Sequence, residues 1–136
     1  MSQPTADDLS RVPLLASLDT HAQERLAPRF DVAEFDAGER IVAEGTPGLD
    51  LYVIDSGRAT ATQRGRGLIR LLGPGDFFGE IALLGKGMRT ATITAASPMV
   101  LWVLHGDAIR LLQGEHPEVT EALSTAMQDR LSAEWI

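Results

Sequence analysis

The first apolar positions along the chain recur at helical spacing. Residues 6–28 are predicted to form helix and turn. Asp19 or Thr20 is the predicted N-cap of the helix there, and Gln23 follows Thr20 at the distance of a capping box. The predicted buried side consists of Leu14, Leu15, Leu18 and Leu26.

Between residues 29 and 104 the pattern changes to short strands separated by turns. Apolar and polar residues alternate or form short runs rich in Val, Ile and Thr, such as TATITA and MVLWVL. QRGRG at 63–67 is a predicted hairpin tip, and Pro74-Gly75 suits the centre of a type II turn. Strands at this spacing indicate an antiparallel sandwich or barrel, such as a jelly roll.

A helical pattern returns at Gly106. GDAIRLLQGEH predicts one short helix, and Pro117 suits the first turn of the next. An apolar stripe then recurs every fourth residue, at Val119, Leu123, Met127, Leu131 and Trp135. This stripe either closes the β-roll or forms the seam of a homodimer. We predict a single domain, residues 1–136, with the β-roll at about 29–104 and the C-terminal helices at about 106–135.

Composition narrows the function classes. The chain has 136 residues, no cysteine and no apolar run long enough to span a membrane, and its first residues are polar and acidic. We therefore expect no membrane span and a cytoplasmic location. A net charge of −7, with no block of basic residues, disfavours direct nucleic acid binding. Histidines at 21, 105 and 116 are scattered and form no His-x-His set, so we expect no metal site and no jelly-roll metalloenzyme.

The sequence FGEIALLG at 78–85 interrupts the β pattern with a predicted helix of barely two turns. The N-terminus of a short helix offers unpaired N–H groups that suit a phosphate, and Gly79 permits a close approach. Arg89 adds a planar, permanently charged fork. Glu80 would repel phosphate but can accept a hydrogen bond from a sugar hydroxyl. Together they describe a site for a ribose joined to a phosphate.

Five motifs make a family resemblance explicit. In order they are VPLLASL, AGERIVAEG, LYVIDSG, LGPGDFFGE and RTATI. The chain from about residue 12 to residue 131 resembles the cyclic nucleotide-binding domain family, which includes the catabolite activator protein and the regulatory subunits of cyclic-AMP-dependent kinase. The resemblance implies a mainly β fold: an antiparallel β-roll with an N-terminal helix, a short phosphate-binding cassette helix and C-terminal helices.

The resemblance also implies roles for single residues. Glu80 would accept the ribose 2′-hydroxyl and Arg89 would pair with the cyclic phosphate. Backbone N–H groups of the cassette would supplement Arg89, and the base would lie between the β-roll wall and the C-terminal helix. Met88 departs from the proline that many members carry before the arginine. The predicted ligand-binding set is Gly79, Glu80, Ile81, Ala82, Arg89, Thr90, Leu72 and Trp135.

The predicted function is therefore a sensor or regulatory domain rather than an enzyme. Its ligand would be cAMP or cGMP; Thr90 leans weakly towards cGMP because its hydroxyl can help a syn guanine. No cofactor and no catalytic residue are expected. Ligand binding would act through the C-terminal helices on an unidentified protein effector. The alternative is a degenerate domain that keeps the fold for protein–protein contact only.

Overall fold

The N-terminal segment is helical, as its leucine spacing predicted. The structure of the protein is a computed structural model that describes residues 3–79, 89 and 91–134, the last five of them by backbone alone. Its first elements are α1 (Ala6–Leu9), α2 (Pro13–Ala16), α3 (Thr20–Leu26) and a 3-10 helix (Ala27–Arg29). All four leucines of the predicted buried side are buried.

Helix capping in this segment differs in detail from the prediction. Asp19 is the N-cap of α3, and its side chain accepts a hydrogen bond from the Ala22 N–H at 2.8 Å. The predicted box between Thr20 and Gln23 is wrong, because a helix capped by Asp19 has Ala22 and not Gln23 at its third position. The Gln23 amide instead donates to the buried Leu15 carbonyl at 3.0 Å.

Within the described residues, eight strands form two antiparallel sheets, which confirms the predicted β-roll. One sheet has the order β1-β8-β3-β6 and the other β2-β7-β4-β5. The turn at Pro74-Gly75 closes with a hydrogen bond from the Asp76 N–H to the Gly73 carbonyl, and Gly75 has the positive φ of 90° that a type II turn requires there. The strands are β1 (Asp31–Phe35), β2 (Arg40–Val42), β3 (Leu51–Ser56), β4 (Ala59–Gln63), β5 (Gly67–Leu72), β6 (Phe77–Phe78), β7 (Thr92–Ala95) and β8 (Met99–Leu104).

Strand β8 is apolar throughout because both of its faces are covered. Met99, Leu101 and Val103 belong to the core between the two sheets, whereas Trp102 and Leu104 belong to the core between the first sheet and the helices. Alternate side chains of a strand point to opposite faces, so one apolar run serves two cores. β3, which pairs with β8, divides its residues in the same way.

Two C-terminal helices complete the described part of the chain. They are α4 (Gly106–Glu115) and α5 (Pro117–Glu134), with Pro117 at the first position of α5 as predicted. The predicted stripe is fully buried at Val119, Leu123 and Met127. Beyond that point, the Leu131 side chain and Trp135 lie outside the described residues. Among the helices described here, none is long and apolar enough to cross a membrane.

Candidate ligand-binding site around Arg89

Arg89 is held by its backbone against the turn that follows β2. Its N–H donates to the Thr46 carbonyl at 2.9 Å, and its own carbonyl accepts from the Gly45 N–H at 2.9 Å. This pair of bonds fixes the position of the Cα atom and directs the side chain inward. The residue is only 7% exposed.

The Arg89 guanidinium carries its charge into this interior with weak compensation. Nη1 donates to the Asp50 backbone carbonyl at 3.3 Å, and the central carbon lies 5.7 Å from the Tyr52 ring centroid. No carboxylate of the described residues forms an ion pair with it. Burying a charge without a counter-charge is costly. An anion is therefore the ligand that this group favours.

Two glycines pack directly against the guanidinium. A Cβ atom at Gly48 would overlap Nε, Nη2 and Cζ of Arg89, and one at Gly79 would overlap Nη1 and lie 2.6 Å from the Asp50 carbonyl. Gly79 also has a positive φ of 81°. Because neither residue has a side chain, there is room for the guanidinium between them. Their backbones lie so close to it that they restrict where it can lie.

Tyr52 supplies the aromatic face beneath the guanidinium. Its ring stacks on Phe78, its partner across the β3–β6 ladder, with centroids 4.9 Å apart and planes at 12°. Burial is the main cause that raises the pKa of the Tyr52 phenol, and the negative charge of Asp50 adds to it, while Arg89 opposes the shift. The phenol is therefore neutral at physiological pH, and its ring presents a cation–π surface to Arg89.

A cavity of about 310 Å³ opens beside Arg89. This volume lies at the lower end of the range for small-molecule pockets, roughly 300–1,000 Å³. Strand β2, the turn after it and residues around the start of β3 form its described walls. Its lining residues are Arg40, Ile41, Val42, Ala43, Thr46, Pro47, Gly48, Asp50, Tyr52 and Arg89.

Comparison with known families decides what kind of domain carries this site. The model of the cyclic nucleotide-binding domain matches residues 32–116, which include the cavity and Arg89. The chain belongs to the cyclic nucleotide-binding domain family. The resemblance drawn from the five motifs is thereby confirmed.

Individual relatives of this cyclic nucleotide-binding domain are regulatory proteins. The chain is 35% identical over 113 residues to a cAMP-dependent protein kinase regulatory subunit of Eremothecium gossypii, a match that covers 83% of this chain and 25% of the relative. The chain thus spans about a quarter of the length of that relative. A second such subunit, from Aspergillus niger, is 37% identical over 107 residues, covering 78% of this chain and 26% of the relative.

Solved structures agree with the fold. The N-terminal domain of a transcriptional regulator from Streptomyces coelicolor A3(2) superposes with a TM-score of 0.77 at 30% identity, covering 93% of this chain and 91% of that one. The regulatory domain of Toxoplasma gondii PKA, crystallised with cAMP, gives a TM-score of 0.75 at 26% identity and covers 91% of this chain and 48% of that one.

Within this domain, the structure brings together two of the predicted ligand-binding residues. Gly79 contacts Arg89 directly. Leu72 is buried in the core between the sheets and does not line the cavity beside Arg89. The remaining predicted residues lie outside the described part of the chain: Glu80, Ile81, Ala82, Thr90 and Trp135.

Sequence reasoning missed the residues around the guanidinium that belong to the segment before and within β3. Gly48, Asp50 and Tyr52 all contact it. A weak signal was present, because Tyr52 is the one aromatic residue in the aliphatic run LYVI. The Asp50 contact carried no signal, since a backbone carbonyl is the same for every residue type.

Proposed function

We propose that this domain binds a cyclic nucleotide through its phosphate, with Arg89 as the cationic anchor for that phosphate. The observation that carries the proposal is a guanidinium that is 7% exposed, borders a cavity, and pairs with no carboxylate of the residues described. Arginine suits a cyclic phosphate because its fork can donate two parallel hydrogen bonds to two oxygens. A regulatory domain of the same fold was crystallised with cAMP, and the kinase regulatory subunits of Eremothecium gossypii and Aspergillus niger are named as cAMP-dependent. We therefore propose cAMP as the preferred ligand over cGMP.

The rest of the ligand contacts follow from the family pattern and remain proposals. Gly79, at the entry to the cassette, would offer its backbone N–H to the phosphate. Glu80 would accept the ribose hydroxyl, and the Ala82 and Thr90 N–H groups would complete the phosphate contacts. Ile81 and Trp135 would contribute apolar surface, with Trp135 over the base, whereas Leu72 would only support the β-roll wall from within the core.

Calorimetric titration with cAMP and cGMP tests the anchor. Arg89→Ala should weaken binding by about 3–5 kcal/mol, the cost of leaving a buried charge unpaired, here that of the phosphate. That corresponds to roughly a hundredfold to a few thousandfold in Kd. Arg66→Ala is the matched control, because it removes an exposed arginine whose side chain bonds Gln63 on the β4–β5 hairpin. Unchanged affinity in Arg89→Ala would remove Arg89 from the site.

We propose further that ligand binding is transmitted to α4 through Asp50. Its backbone carbonyl accepts from Arg89, and its carboxylate accepts from the Gly106 N–H at 2.9 Å, where α4 begins. The His105 ring lies 3.5 Å from the same carboxylate. A phosphate that draws the guanidinium away from the Asp50 carbonyl would change the position of Asp50 and hence of the start of α4. The ligand can shift α4 only by its differential affinity for the two arrangements.

Hydrogen exchange with and without cAMP tests this path. In the wild type, peptides from 106–129 should change protection on binding. Asp50→Ala should still bind, because the backbone carbonyl remains, but the change in α4 should shrink. Asp31→Ala is the control, since Asp31 also contacts His105 but lies on β1 and makes no contact with Arg89. An equal response in Asp50→Ala and wild type would refute the path.

The output is proposed as regulatory rather than catalytic, and it is directed at a protein effector. A homodimer through α5 is one form that this output would take, and sedimentation with and without ligand measures it. The contrasting function is a domain that keeps only protein–protein contacts. Lack of a thermal shift with either cyclic nucleotide would favour that function over ours.

A further inference from the structure

Three side chains of types that can ligate a metal meet where α3 packs beside the junction of α4 and α5. His21 lies in the first turn of α3, His116 joins α4 to α5, and Glu118 lies in the first turn of α5. His21 Nε2 is 3.1 Å from Glu118 Oε2, and His116 Nδ1 is 3.5 Å from the same oxygen. The two imidazoles pack edge to face with centroids 6.0 Å apart. The cluster could not be predicted from the sequence, because residue 21 lies far from residues 116 and 118 along the chain.

The spacing of these atoms fits a small tetrahedral ion. Zinc bonds to histidine nitrogen and carboxylate oxygen are about 2.0–2.2 Å long, so tetrahedral ligand atoms lie roughly 3.3–3.5 Å apart. The two distances to Glu118 bracket that value, and one ligand atom from each of the three residues lies within 4.8 Å of the others. A small rotation of the two rings would place all three ligands around one ion.

The ligand types point to a borderline transition metal. Two imidazoles and one carboxylate form a donor set typical of zinc sites that keep a fourth position open. His21 and Glu118 are half exposed, so an ion can enter and water can occupy the fourth position.

The backbones that carry the ligands are fixed independently of any ion. The His116 N–H donates to the Leu112 carbonyl at 2.7 Å, and its carbonyl accepts from the Val119 N–H at 2.9 Å. The Asp19 cap fixes the start of α3 beside His21. Preorganised backbones lower the entropy that binding must overcome.

We propose that His21, His116 and Glu118 form a Zn²⁺ site that ties α3 to the junction of α4 and α5. The site is separate from the cavity at Arg89 and does not depend on nucleotide binding. Because it joins the N-terminal helices to the C-terminal ones, an ion there would hold together the elements through which a signal from the domain would pass.

The test uses the full chain without a polyhistidine tag and with ZnCl₂ as the probe. We expect one ion per chain by calorimetry and a raised unfolding midpoint. His21→Gln and His116→Gln should each weaken zinc binding at least about tenfold, because removing a ligand should cost no less than removing its hydrogen-bonding partner. Glutamine is chosen because its amide can still donate to Glu118, which preserves the docking of α3.

His105→Gln is the matched control. It removes a half-exposed imidazole that also contacts carboxylates, those of Asp31 and Asp50, but lies outside the cluster. The zinc affinity of His105→Gln should equal that of the wild type. As a control for the metal, titrating the wild type with Mg²⁺ at the same concentration should give no heat, because Mg²⁺ prefers oxygen ligands. Co²⁺ should give the visible absorption of a four-coordinate ion. The proposal would be overturned if both cluster variants bound zinc as tightly as the wild type, if His105→Gln lost as much zinc affinity as they do, or if the wild type bound no stoichiometric zinc. The three side chains would then form a hydrogen-bonded cluster only.

Discussion

Replacing Gly48 by alanine would place a methyl group where the Arg89 guanidinium lies. The added Cβ overlaps Nε, Nη2 and Cζ, which are the far end of a flexible side chain and not backbone. Gly48 does not have the left-handed φ that would strain alanine. The guanidinium must therefore move, while the fold has no reason to.

The size of the effect follows from that displacement. Non-bonded heavy atoms prefer separations of about 3.5–4.0 Å, so the head must shift by about 1 Å or more. Forcing the Arg89 side chain away from its preferred rotamer costs about 0.5–1.5 kcal/mol, so the free energy of unfolding should fall by no more than that. Misplacing a functional group by about 1 Å can reduce its effect a hundredfold where the geometry is strict, as it is for the two parallel hydrogen bonds of an arginine to a phosphate. We expect cAMP affinity to fall about 10- to 100-fold, or 1.4–2.7 kcal/mol.

A double-mutant cycle checks that the methyl acts through Arg89. Calorimetry compares Gly48→Ala, Arg89→Ala and the double variant, and urea unfolding follows stability in each. The methyl should weaken binding in the wild-type background and add nothing once Arg89 is gone. Gly114→Ala is the control, because a Cβ there meets no atom within 4 Å. Wild-type affinity in Gly48→Ala, or full additivity in the double variant, would refute the reasoning.

Four further predictions follow from the same structure. Tyr52→Leu removes the aromatic face under the guanidinium and should weaken cAMP binding about 2- to 30-fold by calorimetry, whereas Tyr52→Phe should not. Thr5 caps α1 in a reciprocal box with Asp8, so Thr5→Ala should cost about 0.5–2 kcal/mol in urea unfolding at pH 7. The hydrogen bond from the Thr5 N–H lowers the pKa of the Asp8 carboxyl. Asp8→Ala should therefore be less stable than the wild type in urea unfolding at pH 7, and this difference in stability should vanish as the pH falls below the lowered pKa. Trp102→Ala should cost about 3–5 kcal/mol by circular dichroism, because the ring fills the core under the helices.

Much of the fold could be predicted because local patterns report burial. The run MVLWVL indicated a buried strand, and β8 indeed serves two cores. Pro74-Gly75 predicted its turn from φ preferences alone. The i+4 stripe on α5 predicted burial at Val119, Leu123 and Met127. In each case the information lies within a few residues of sequence.

Contacts between distant segments could not be predicted in the same way. Alternation says which face of a strand a residue occupies, but not which loop lies against that face. The cassette motif predicted Arg89 as a ligand-binding residue. Its contacts with the Asp50 carbonyl and the Tyr52 ring could not be predicted, because they join segments that are distant in sequence. His21 and His116 meet only because α3 packs beside the start of α5, and no local pattern encodes that approach.

The electrostatic balance of the domain explains why the site must be local. A net charge of −7 repels an anion at long range, but at physiological salt this repulsion is screened beyond about 8 Å. Within that distance, the charge that matters is the buried guanidinium, which the described residues compensate only with a carbonyl and a ring. A carboxylate partner would lower the energy of the empty site, and a phosphate would then have to displace it. Under the proposed function, leaving the cation without one reserves its strongest interaction for the ligand, and the contact shared with Asp50 would pass a change at Arg89 on to the start of α4.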